Sequence, residues 1–296
     1  MSTRSRAFVP WLAGVALATL AVGCDGCTKA GQLRVDGDFP YVRCLAVDER
    51  EAAEWSVGDL RLRSEGRVLT IEGIEPPLRM AAFVGPGPGS ADPTRALGAL
   101  GPHGAKLVWV LGELGDSEAH AQRTLAALAA YPGVSLVLAS GRDDFDVLEE
   151  AWDSLSDEAA AHVIDLRPFR AVRVGTSVFG LTSGGAGGRY ARNRSSCGFG
   201  EDDLEEVEDA LPDAEEARRF MVSWAAPAGG VARDEGGTDG GDPALAEFMT
   251  DNGIAGGLFA WPPHGAWSGS RVGTDRVTPL EERAADPAAQ VVVGRI

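Results

Sequence analysis

Two acid-bearing turns hold the residues of this chain best suited to chemistry. Glu113 and Asp116 lie in Leu111-Gly112-Glu113-Leu114-Gly115-Asp116, and three charged residues run together in Ser140-Gly141-Arg142-Asp143-Asp144. Carboxylates at such turns are hard oxygen donors for a divalent cation. Arg142 can alternatively grip an anion bidentately, or close an internal salt bridge with Asp144, Glu113 or Asp116. The internal bridge is the preferred reading.

Other chemistries are poorly supplied. The remaining histidines, His103, His120 and His162, stand apart and read as surface or capping residues. No Gly-x-Ser-x-Gly elbow occurs for serine hydrolysis. The run Gly184-Gly185-Ala186-Gly187-Gly188 lacks the strand–GxGxxG–helix order of a dinucleotide site and the Gly-Lys-Ser/Thr ending of a P-loop, so it reads as a loop. No organic cofactor is expected.

The turns need a frame, and the apolar pattern supplies one. Residues 80–84, 107–111 and 134–139 are short apolar runs of strand length, and 117–131 carries Ala121, Leu125, Leu128 and Ala129 at helical spacing. Strand, helix, strand is the βαβ unit of a layered α/β protein. Residues 60–63 and 67–71 alternate apolar and polar around Ser64-Glu65-Gly66, predicting a hairpin at a sheet edge. Further strands are expected at 163–164, 171–174, 177–181, 220–224, 254–261 and 289–293. A helix begins near 244, and 233–242 reads as an acidic loop. In 201–211, Leu204, Val207 and Leu211 form a stripe beneath a dense acidic face that is read as solvated.

These strand-and-turn blocks resemble the calcineurin-like metallophosphoesterase family over roughly residues 79–270. That family carries two divalent metals on five blocks: Asp-x-His, Gly-Asp, Gly-Asn-His-Asp, a lone His, and Gly-His-x-His. The resemblance implies a four-layer α/β/β/α sandwich of two mixed sheets flanked by helices, with phosphoesterase activity. It is carried mainly by residues 111–116 and 140–144, where Glu113 stands for the bridging carboxylate and Asp144 for the last Asp. Arg142 and Asp143 fall on the metal-binding Asn and the catalytic His. Gly85-Pro86-Gly87-Pro88-Gly89 replaces the first block, Trp224 stands at the lone His, and Trp261 and Pro263 replace both histidines of the last block, with His264 one position late. Gly and Pro bring no ligand, and indole cannot replace imidazole. The implied function is a binding or structural role with a degenerate two-metal site, or alternatively a phosphoesterase with an atypical one-metal centre. On the resemblance, Glu113, Asp144 and His264 would hold one weakly bound Mn, Fe, Zn or Ca ion, and Asp143, Asp144 and Arg142 would be the reacting groups.

The ends of the chain suggest where it works. Arg4 and Arg6 precede an apolar stretch shorter than the roughly 20 residues of a membrane span. That stretch runs into Ala21-Val22-Gly23-Cys24, which resembles a lipobox. Residues 1–23 therefore read as a signal peptide, 24–50 as a lipidated Cys24 with a linker and irregular leader, and 51–296 as the domain. The expected location is the bacterial cell envelope, with membrane contact only through the lipid. Of the remaining cysteines, Cys27–Cys44 and Cys44–Cys197 are both acceptable pairs. The net charge of -17 becomes -19 once Arg4 and Arg6 are removed, and it repels polyphosphate backbones. Nucleic acid is excluded on that ground, leaving an unidentified protein, glycan or small anionic ligand as the partner.

Overall fold

The computed structural model describes residues 33–36, 39–45, 50–75, 78–83, 94, 97–98, 104–115, 117–139, 145–187, 197–213, 217–229, 239–254, 256–260 and 292–295. Two mixed sheets face each other. The first is built from β6 (Arg79–Phe83), β7 (Leu107–Leu111), β8 (Val134–Leu138) and β9 (Val163–Asp165), all parallel, with antiparallel β16 (Val292–Arg295) beside β6. The second is built from β3 (Arg50–Val57), β4 (Leu60–Gly66), β5 (Val68–Glu72), β10 (Ala171–Val174), β11 (Ser177–Thr182), β14 (Arg218–Ser223) and β15 (Gly257–Phe259). Its order is β15-β14-β11-β10-β5-β4-β3. The hairpin predicted at 60–71 is β4 and β5, but β3 covers β4 and is the edge.

Side-chain alternation explains why the sheets stack. Successive residues of a strand point to opposite faces, and β7 is apolar on both. Leu107, Trp109 and Leu111 enter the core between the sheets with Leu62, Leu69, Ile71, Phe179 and Val222. Val108 and Val110 instead meet Ala121, Leu125 and Leu128 of α1 (Glu118–Ala129) and Leu148 of α2 (Phe145–Asp153). The outer face of the second sheet offers Met221 to Val207 of α4 (Glu201–Ala210) and to Leu245, Phe248 and Met249 of α5 (Pro243–Asp251). Helix, sheet, sheet and helix therefore form four layers, the architecture expected from the sequence. Each fully buried Leu, Val or Phe contributes about 1.5–3 kcal/mol relative to exposure. The short α3 (Asp157–His162) hangs at the β3 and β9 edge, where Trp55 Nε1 donates to the Ala161 carbonyl.

A third, smaller sheet corrects two expectations. The leader is not wholly irregular, because β1 (Leu33–Asp36) and β2 (Phe39–Arg43) form a hairpin. Next in order come β13 (Cys197–Phe199) and β12 (Gly185–Ala186), so the glycine-rich loop also contains a strand. Parallel pairing of β2 with β13 brings the Cα atoms of Cys44 and Cys197 to 4.8 Å, and these two form the disulfide. The Cys27–Cys44 pairing is thereby excluded. Cys24 and Cys27 lie outside the described residues.

Candidate functional site

The strands that lead into the blocks singled out in sequence end together at one end of the sandwich. β7 and β8 are parallel neighbours in one sheet, and β11, β14 and β15 are parallel neighbours in the other. Their C-terminal ends meet where the Ser183 hydroxyl, just past β11, donates to the carbonyl of Ala139, just past β8. Beside it, Thr182 Oγ1 donates to Ser223 Oγ at 2.9 Å, joining β11 to β14. Leu111, Leu138, Leu181, Trp224, Ala225 and Ala260 belong to one buried cluster, so these strand ends share a floor. Arg142, Asp143, Asp144 and His264 lie outside the described residues, as do Asp116, Trp261, Pro263 and residues 85–89.

Glu113 is the described member of the predicted donor set. It follows β7 with φ of 61°, and no other non-glycine among the described residues has positive φ. An L-residue there costs roughly 1–2 kcal/mol because Cβ crowds the backbone. The turn is held from the helix side. Thr124 of α1 donates through Oγ1 to the Leu114 carbonyl at 2.9 Å, and Gly115, at φ of 150°, sits so close to His120 that a Cβ would lie 2.5 Å from that residue's own. Helix α1 thus fixes the turn that aims Glu113.

Trp224 is buried, only 1% exposed, between the sheets at the end of β14. Its surroundings are pinned by Asp242, a fully buried carboxylate that sequence inspection placed at the end of an acidic loop. Asp242 Oδ1 accepts the N–H groups of Ala244 and Leu245, capping α5, and Oδ2 accepts that of Ala186 in β12 at 2.8 Å. The Asp242 backbone also bonds Ala226 and Ala228, so the chain leaving Trp224 is held in place. An Asp before Pro243 is a helix-start signal that could have marked this residue in the sequence.

A two-metal centre needs ligands around ions roughly 3.5–4 Å apart. Among the described residues no three His, Cys, Asp or Glu side chains come together. A tryptophan N–H is a donor without a lone pair for a metal. Trp224 therefore brings no ligand to such a centre. His162, read as a capping residue, places Nδ1 3.2 Å from the Gly133 carbonyl at the opposite end of β8.

A second polar cluster was not foreseen. On α4, Asp203 and Glu206 turn inward beside Val207 rather than joining the solvated face. Arg43 of β2 donates to both, Arg67 in the β4–β5 turn donates to Glu206, and Arg170, just before β10, reaches Glu206 at 2.7 Å. Arg43 and Asp203 are each 2% exposed, and Glu206 is 25% exposed. Burial raises the Glu206 pKa, but hydrogen bonds from Arg67 and Arg170, with the charges of Arg170 and Arg43, outweigh it and hold the carboxyl at about 2. Burial also lowers the Arg170 pKa, with Glu206 opposing. The only sequence signal was position, since both acids flank the Leu204–Val207 stripe. Their partners lie as far as 160 and 163 residues away.

No protein-family model matches the chain, and no curated protein does. Among solved structures, one is 11% identical with a TM-score of 0.45, the match covering 62% of this chain and 84% of that one. A second, TT1561 of Thermus thermophilus, is 13% identical with a TM-score of 0.44, covering 61% of this chain and 80% of its own.

Proposed function

We propose that this chain is an exported, lipid-anchored, metallophosphoesterase-like protein that acts by binding rather than by two-metal hydrolysis. Trp224 carries the reading. It stands at the fourth-block position of the family pattern, and its indole is buried in the floor of the strand ends where that pattern needs an imidazole. The partner is an unidentified protein, glycan or small anion, with no role for nucleic acid. The Cys44–Cys197 disulfide suits an oxidising compartment and so supports a place in the cell envelope.

The test pairs metal analysis of purified full-length protein with hydrolysis of phosphomonoester and phosphodiester probes in added Mn²⁺. Binding without catalysis predicts metal well below one ion per chain and no turnover. Stoichiometric metal, with turnover lost in Asp144→Ala, would defeat the proposal. The second reading, a one-metal phosphoesterase using Glu113, Asp143, Asp144 and His264, is favoured by the left-handed backbone at Glu113, because such strain tends to persist at functional turns. That reading predicts turnover that falls in Glu113→Gln as well.

A further inference from the structure

We propose that the Cys44–Cys197 disulfide is a conditional lock on the leader. With the bond formed, β1 and β2 are seated beside the strand-end site; without it, the leader detaches and the sandwich stays folded.

Among the described residues, the leader's ties gather at the end of β2. β2 meets β13 through the Val42–Cys197 and Arg43–Gly198 pairs, extended by Cys44 N–H donating to the Gly198 carbonyl at 2.9 Å, while Val42 packs beside the cysteines and Leu45 is buried. Arg43 adds its ion pairs to Asp203 and Glu206. The covalent bond joins residues 153 apart, so it suppresses a large entropy of separation that these noncovalent ties must otherwise oppose.

The rest of the molecule closes without the leader. Among the described residues, the buried cluster between the two sheets begins at Val57, with Trp55 packed against it, both beyond the leader. If Arg43 leaves, Glu206 keeps Arg67 and Arg170, and Asp203 keeps the Gly200 N–H at 2.9 Å. Departure of the leader also rehydrates Asp203, which removes the penalty for losing its arginine.

The lock bears directly on the strand ends. Gly184, at φ of 72°, lies against both cysteines, and a Cβ there would sit 2.3 Å from the Cys197 carbonyl oxygen and 2.9 Å from Cys44 Sγ. The preceding residue, Ser183, makes the bond to Ala139 that joins the two sheets at that end. Cys44 and Cys197 share an apolar cluster with Leu114 and Ala139, which follow β7 and β8. Locking the leader therefore stiffens the end of β11 where the candidate site lies. Closing the lock removes two protons and two electrons from the thiols. An oxidised dithiol carrier accepts them and departs as the dithiol, while one S–S bond forms and another breaks. The lock does not depend on what the site binds.

The test is hydrogen exchange by mass spectrometry on full-length wild type and the C44S/C197S double variant. Expected is exchange faster by about tenfold or more in residues 39–45 and 197–199, with β7 and β8 protected as in wild type. Wild type refolded in excess dithiol should behave like the variant, and oxidised dithiol should restore protection. Unchanged protection of 39–45 without the bond overturns the proposal, because the noncovalent ties would then suffice. Failure of the variant to fold, or loss of protection in β7 and β8, overturns it too, because the bond would then hold the whole domain.

Discussion

Beneath α4, three arginines from β2, the β4–β5 turn and the approach to β10 meet two inward carboxylates. At the strand ends, the described residues bring one strained carboxylate, Glu113, three hydroxyls and a buried indole. The first region buries charge to hold distant segments together. The second uses its described hydroxyls to tie β11 to β14 and one sheet to the other. A dense acidic helix in sequence is thus no guide to a metal site: its inward acids hold the fold, and its outward ones face water.

The largest expected effect is at Glu206. Glu206→Ala leaves Arg43 and Arg170 buried with less compensation and should lower unfolding free energy by about 3–5 kcal/mol in urea melts, at unchanged slope. If the loss is under about 1 kcal/mol, the cluster is no stronger than a surface pair. The same contrast can be sharpened with acid. Because the folded pKa of Glu206 lies near 2, below the ordinary 4.5, its contribution is present above pH 4.5 and fades as pH falls towards 2. Solvent screens a carboxylate that is 25% exposed, so wild type should lose roughly 2–3 kcal/mol across that window from this group. Glu206→Gln should show a flatter pH profile.

Asp242→Ala tests the strand-end side. It strands three backbone N–H donors and should cost about 2–3 kcal/mol. It should also alter Trp224 fluorescence before global unfolding, whereas Glu206→Ala should not. The smallest effect has the opposite sign. Glu113→Gly relieves a left-handed residue and should stabilise the protein by about 1 kcal/mol. A destabilised variant would mean that Glu113 side-chain contacts outweigh the strain.

Much of the frame was legible because it is local. The apolar runs at 107–111 and 171–174 coincide with β7 and β10, and Ala121, Leu125 and Leu128 bury one face of α1 as their spacing predicts. The leader was not legible, since β1 and β2 are stabilised by β13, more than 150 residues away, and carry no long apolar alternation. Arg43, Arg67 and Arg170 are isolated in sequence and acquire meaning only through Glu206. At the candidate site, the order of the blocks placed the strand ends. Glu113's backbone and Asp242's triple acceptor role depend on tertiary packing that no spacing encodes.

Anomalous diffraction from crystals soaked in manganese addresses the central claim most directly. The account predicts no pair of ions at the ends of β7, β8, β14 and β15. Two ions roughly 4 Å apart there, each with a full ligand shell, would contradict it.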